Sequence, residues 1–112
     1  MSALIDAVRA ALDGADDADD ALRGAVRALA AADGIRWAGI AFAEGTALVL
    51  GPAAGEPDPV RRVTVPVCFG DATVGELQVD GAIEVGVLEQ VAALAAAYVL
   101  LGWDTDGEEW SP

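Results

Sequence analysis

At 112 residues, 54% of them hydrophobic, the chain can build one modest core and is too apolar to be disordered throughout. Its formal net charge of −13, from 19 acids against 6 bases, repels phosphate backbones and anionic bilayers, so neither nucleic acid nor a membrane is an expected partner. There is no histidine and no lysine, and the single cysteine, Cys68, excludes an intrachain disulfide and a four-ligand Cys/His zinc centre.

Leu4, Val8 and Leu12 recur at helical spacing with Ile5 beside them, and Ser2 is a candidate cap, so residues 1–13 read as an N-terminal helix. The run from Asp13 to Asp20 (DGADDADD) breaks that pattern. Gly14 can end the first helix, and the carboxylates suit the positive end of the next. The spacing of an EF-hand and its closing Glu are absent, so this acidic linker, 14–20, is no calcium loop. Leu22, Val26 and Leu29 mark a second helix that Asp33-Gly34 terminates.

Ile35 to Ala43 alternates, with Ala38, Ile40 and Phe42 on one side and Trp37, Gly39 and Ala41 on the other, as a strand requires. Glu44-Gly45 is a hairpin turn and Thr46 to Leu50 the returning strand. Three prolines and two glycines make Gly51 to Pro59 a predicted loop. In the next strand Val63, Val65, Val67 and Phe69 are expected to face one way and Thr64, Pro66 and Cys68 the other. Pro66 predicts an edge position or a bulge, because it donates no ladder hydrogen bond. Gly70-Asp71 turns the chain, and Thr73 to Asp80 returns with Leu77 and Val79 inward.

A final helix follows, with Ile83, Val87, Val91, Leu94, Tyr98 and Leu101 as its stripe and alanines on its other faces. A helix apolar nearly all round needs cover on more than one side, which predicts a homodimer. The longest apolar run, residues 91–103, is shorter than the roughly 18 residues a bilayer span requires. Residues 102–112 change character: Trp103 and Trp110 stand among acids, and Gly102 is expected to end the helix. This tail is expected to fold back on the sheet or a dimer mate, or to dock on another protein.

The chemical inventory is sparse. Nucleophilic catalysis needs a nucleophile and a base, and only carboxylates are present to serve Cys68 or the few hydroxyls. No GxSxG elbow, GxGxxG loop or Walker lysine occurs. Cys68 reads as a small buried, structural thiol, although Arg61 and Arg62 lie upstream. Carboxylate pairs such as Asp104/Asp106 and Glu108/Glu109 read as solvated charge, so no metal and no cofactor are expected. Trp37 either packs against a helix or, with room left by Gly39 and Ala41, borders a small pocket for an apolar or planar ligand; Cys68 joins that candidate ligand set.

Val65-Pro66-Val67, Gly75-Glu76-Leu77 and Val79-Asp80, with the closing helix, resemble the second hairpin of GAF domains, the small-molecule-sensing relatives of PAS domains. The helix from Ala21 and the first hairpin add to the resemblance, which covers residues 21–101. The segment LVLGPAAGEP resembles the free methionine-(R)-sulfoxide reductase branch in particular. That branch uses cysteines from the middle of its domain, whereas this chain has Cys68 alone and only a loop where members carry further strand and helix. The resemblance therefore implies an α+β fold: a small antiparallel sheet of about four strands with helices on one face, reduced in its middle. A roadblock-type domain is the competing topology.

The expected function is a non-catalytic, dimeric regulatory or protein-interaction module in the cytoplasm. A small-molecule sensor near Trp37 and a residual thiol redox enzyme using Cys68 are the other readings. The expected interface residues are Leu4, Val8, Leu12, Val91, Tyr98, Trp103 and Trp110.

Overall fold

The computed structural model describes residues 3–44 and 46–109, with residues 101–109 as helix backbone. Helix α1 runs over Ala3–Asp13 and α2 over Ala18–Ala30. Asp17 starts α2: its carboxylate accepts the backbone N–H of Asp20 at 2.8 Å, satisfying one of the orphan donors of the first turn. The predicted linker 14–20 thus shrinks to residues 14–17, since Ala18, Asp19 and Asp20 are already helical.

Four strands follow: β1 over Ile35–Glu44, β2 over Ala47–Gly55, β3 over Arg62–Phe69 and β4 over Ala72–Gly81. They form one sheet in the order β2-β1-β4-β3 with every neighbour antiparallel, which is the expected α+β architecture. Pro66 lies on an edge strand, as its missing N–H requires. The predicted loop at Gly51 is a difference: β2 continues through Pro52 to Gly55. It does so as an edge strand, and the β1–β2 register shifts between Gly39 and Ala41, so that Gly51 and Pro52 share one place in the ladder. Only Glu56 to Asp58 and a short 3-10 turn, Pro59–Arg61, then connect the two hairpins.

The last helix, α3, spans Val85–Glu109. It starts two residues after Ile83, and its backbone passes through Gly102, where a tail was expected to break it. Its buried stripe is Leu88, Val91, Ala92, Ala95 and Val99; Val87, Leu94 and Tyr98 flank that stripe half-buried. The predicted stripe was rotated because alanine and leucine positions look alike in a helix with so few charges. Among the described residues, no helix is long and apolar enough to cross a membrane.

Helix α2 lies against β1 and β2, α3 against β3 and β4, and α1 packs chiefly on α2 while touching α3. Ile5, Val8 and Leu12 of α1 join Leu22, Leu29, Ile40, Leu77 and Leu88 in one core. Each of these large side chains contributes about 1.5–3 kcal/mol by leaving water. Gly75 makes the α3 contact close: a side chain there would strike the Ala41 carbonyl and crowd Val99, 3.2 Å away. Phe69, expected to share the facing of Val65 and Val67, is about half exposed at the turn end of β3.

Candidate functional site on the outer sheet face

Strand β1 divides its side chains as its alternation predicts. Ala38, Ile40 and Phe42 enter the helix-side core, while Trp37 and Ala41 are buried outside that core, toward the other face of the sheet. Trp37 is only 5% exposed. Its ring lies over Gly39, where an added Cβ would fall 2.5 Å from Cη2 of the indole. Glycine at position 39 is therefore what seats the ring.

A second pair closes over the tryptophan. Trp37 and Arg62 both lie opposite Asp80, one on each side of β4. Arg62 Nε donates to Asp80 Oδ1 at 2.7 Å and its terminal nitrogen to Oδ2 at 2.9 Å, a two-pronged contact. The guanidinium carbon stands 4.5 Å from the centroid of the Trp37 ring, a cation–π distance. Asp80 is 0% exposed, and the backbone N–H of Asp58 adds a third donor to Oδ2 at 2.6 Å. These bonds satisfy a carboxylate that burial alone would make costly.

The electrostatics follow from those partners. The hydrogen bonds from Arg62, aided by the Asp58 N–H, hold the Asp80 carboxyl below its ordinary value against the opposing pull of burial. The same bond raises Arg62 above the usual arginine value. Around the rim, Arg36 and Arg61 approach Asp58 at 3.9 and 3.8 Å, exposed pairs that contribute little. The cluster fixes the short β2–β3 connection to the end of β4, and every charged group in it is matched.

Cys68 does not join this cluster. Expected as a buried thiol, it is instead exposed on β3, paired with Thr73 near the opposite end of the hairpin, with its sulfur 3.7 Å from the Thr73 hydroxyl. It lies six residue steps along the strand from Arg62, about 20 Å of extended chain. The proposed grouping of Cys68 with Trp37, Gly39 and Ala41 is thus corrected: the last three are together and Cys68 is remote. Among the described residues, no group of three or more Cys, His, Asp or Glu is placed to hold a metal ion.

The interface candidates divide as well. Val8, Leu12 and Val91 are buried in the core of this chain. Leu4 and Tyr98 are half-buried at the helix surface. Leu4 also borders an open apolar groove of about 500 Å³ shared with Ala7, Ala32, Ile35 and Ile83, on the helix side rather than beside Trp37. The Trp103 side chain and all of Trp110 lie outside what the structure describes.

Sequence reasoning passed over Arg62, Asp80 and Asp58. The cause is one residue. Near the Gly70-Asp71 turn, Phe69 pairs with Ala72 and Cys68 with Thr73, a register that would carry Arg62 to Val79. The extra residue at Val74 advances the ladder by one, so Val67 pairs with Gly75 and Arg62 meets Asp80.

No family model matches the sequence, and no curated protein does. Solved structures do. An fRMsr of Staphylococcus aureus, solved in complex with its substrate, superposes with a TM-score of 0.67 at 17% identity, over 86% of this chain and 93% of the other. A proposed GAF sensor protein from Burkholderia vietnamiensis superposes with a TM-score of 0.66 at 18% identity, over 90% of this chain and 92% of the other. Likeness at such identities carries the fold alone, and the fold it establishes for this chain is GAF-like.

Proposed function

We propose that this GAF-like chain is a non-catalytic, dimeric regulatory or protein-interaction module of the cytoplasm. The observation that carries the reading is the outward side of α3. From Val91 to Leu100 the helix has no charged residue, although 22% of the chain is charged. Only one side of that segment enters the core, which leaves Ala93 and Ala97 exposed and Leu94 and Tyr98 half-buried. An uncharged helix face of this kind matches what a second copy would cover.

The chemistry of the described residues supports the same reading. The neighbour recorded for Cys68 is a hydroxyl, which neither activates a thiol nor resolves an oxidised one. A thiol redox enzyme would therefore need its partner from elsewhere. A sensor near Trp37 is the second reading, favoured by the short β2–β3 connection, which brings no further helix or strand over that face. A ligand there would have to displace Arg62 from the indole or lie beside it.

Light scattering coupled to size exclusion, with native mass spectrometry, tests the proposal. A dimer carrying no added mass is the expected result. A monomer at high concentration would sink it, and a bound metabolite would favour the sensor.

A further inference from the structure

We infer that the free edge of β2 is a docking site for an extended, apolar segment of another protein flanked by lysine or arginine. The two edges of the sheet differ. On β3, Pro66 interrupts the donor row and Arg62 is pinned to Asp80, devices that discourage strand addition. On β2, Leu48, Val49 and Leu50 stand in sequence at 49%, 45% and 55% exposure, and no charge occurs from Ala47 to Gly55. Leu48 and Leu50 lie opposite Ala43 and Ala41, on the Trp37 side of the sheet, and Val49 lies opposite Phe42, on the helix side. Both sides of an added strand would thus find apolar partners, while main-chain groups supply the pairing.

The rim decides which segment fits. Glu44 precedes the strand and Glu56, which Arg36 approaches at 3.9 Å, follows it, both exposed. Asp19, Arg23 and Phe42 line a shallow pocket with Gly51 and Pro52, which brings the N-terminus of α2 and its exposed Asp16, Asp17 and Asp20 to the same flank. Arg23 is already matched by Asp19 at 3.0 Å. A second copy would bring the same acids to meet these, so self-pairing is opposed by like charge. A segment with basic flanks is attracted instead. The irregularity at Gly51 and Pro52 ends the regular ladder, so the docked strand is short and centred on Val49.

The inference rests on the interaction-module reading but not on the dimer, since the uncharged side of α3 is a different surface. The test is selection from a displayed library of random peptides on the intact protein, followed by binding measurements with the enriched sequences. Enrichment of alternating apolar residues flanked by Lys or Arg is expected, with binding weakened by salt. Leu50→Asp should lower the affinity by about tenfold, the effect of losing one apolar anchor. Leu48→Pro, which removes an N–H of the free edge because Leu48 and Ala43 form a non-hydrogen-bonded pair, serves as a second variant, and circular dichroism confirms that both fold. No enrichment, enrichment of acidic peptides, or peptides that bind the variants equally would overturn the inference. So would a dimer that Leu50→Asp converts to monomer, because the edge would then belong to a second copy. Mass measured on the same samples reads the dimer separately, so either idea can fail alone.

Discussion

Arg62 reaches across β4 to stand 4.5 Å above Trp37 while gripping Asp80 with two hydrogen bonds. One guanidinium thus joins three strands of the sheet, and only arginine has the planar fork to do both jobs at once. Arg62→Lys keeps the charge but loses the two-pronged bond and the stacking. It should cost about 1.5–3 kcal/mol of stability, the range for a hydrogen bond to a charged group. Urea unfolding checks the cost. In a Trp103→Phe, Trp110→Phe background, the emission of Trp37 should also move to longer wavelength as the ring gains water.

Asp80 makes the clasp sensitive to acid. Its folded carboxyl titrates below its unfolded value, so the native state binds its proton less readily than the unfolded chain does. The stability it contributes is therefore full above the unfolded carboxylate value of about 3.9 and fades as pH falls through the depressed folded value. Asp80→Asn should remove that part of the acid dependence. It should also lower stability at neutral pH by about 2–3 kcal/mol, because Arg62 and the Asp58 N–H lose their acceptor charge. Urea midpoints of both proteins from neutral pH down to strong acid check this. Curves that stay parallel throughout would contradict it.

Gly39 makes a sharper steric prediction. A side chain there meets the indole of Trp37 at 2.5 Å and Leu50 at 3.2 Å, so the ring must leave its seat. Gly39→Val should cost about 1–3 kcal/mol, the usual penalty for overfilling a packed site. It should also break the Arg62–Trp37 contact, seen as a quenching change for Trp37. If a ligand binds beside Trp37, the same substitution should abolish its effect on the melting temperature.

Much of the fold was legible because it rests on local patterns. The alternation of Ala38, Ile40 and Phe42, the punctuation at Gly34 and Gly70-Asp71, and the edge placement of Pro66 follow from short-range rules. What was not legible has a different origin. The length of β2 past Gly51 and the meeting of Arg62 with Asp80 turn on ladder irregularities, at Gly51–Pro52 and at Val74. One inserted residue re-aims every side chain beyond it, and nothing in a strand's composition announces which residue that will be. Trp37 was legible as a candidate, but not its lid, because the lid comes from a strand two places away in the sheet.

The helices offer the last prediction, which separates core from interface on a single element. Val91 is buried in the monomer, whereas Tyr98, two turns on, is half-buried beside the exposed Ala97. Val91→Asp places an unpaired carboxylate among Leu88, Ala95 and the inner face of the sheet, and no partner there can match it. The burial cost of an uncompensated charge is several kcal/mol, a large share of what a small domain possesses, so this variant should unfold or lose its cooperative transition. Tyr98→Glu places its charge at the rim of the core, where water can reach it. It should keep the circular dichroism of the parent and lose at most about 1 kcal/mol, while the proposed dimer falls to a monomer. Sedimentation and thermal melts of the two variants side by side decide the point. A Tyr98→Glu protein that stays dimeric would move the contact off this side of α3, leaving its uncharged surface to be covered in some other way.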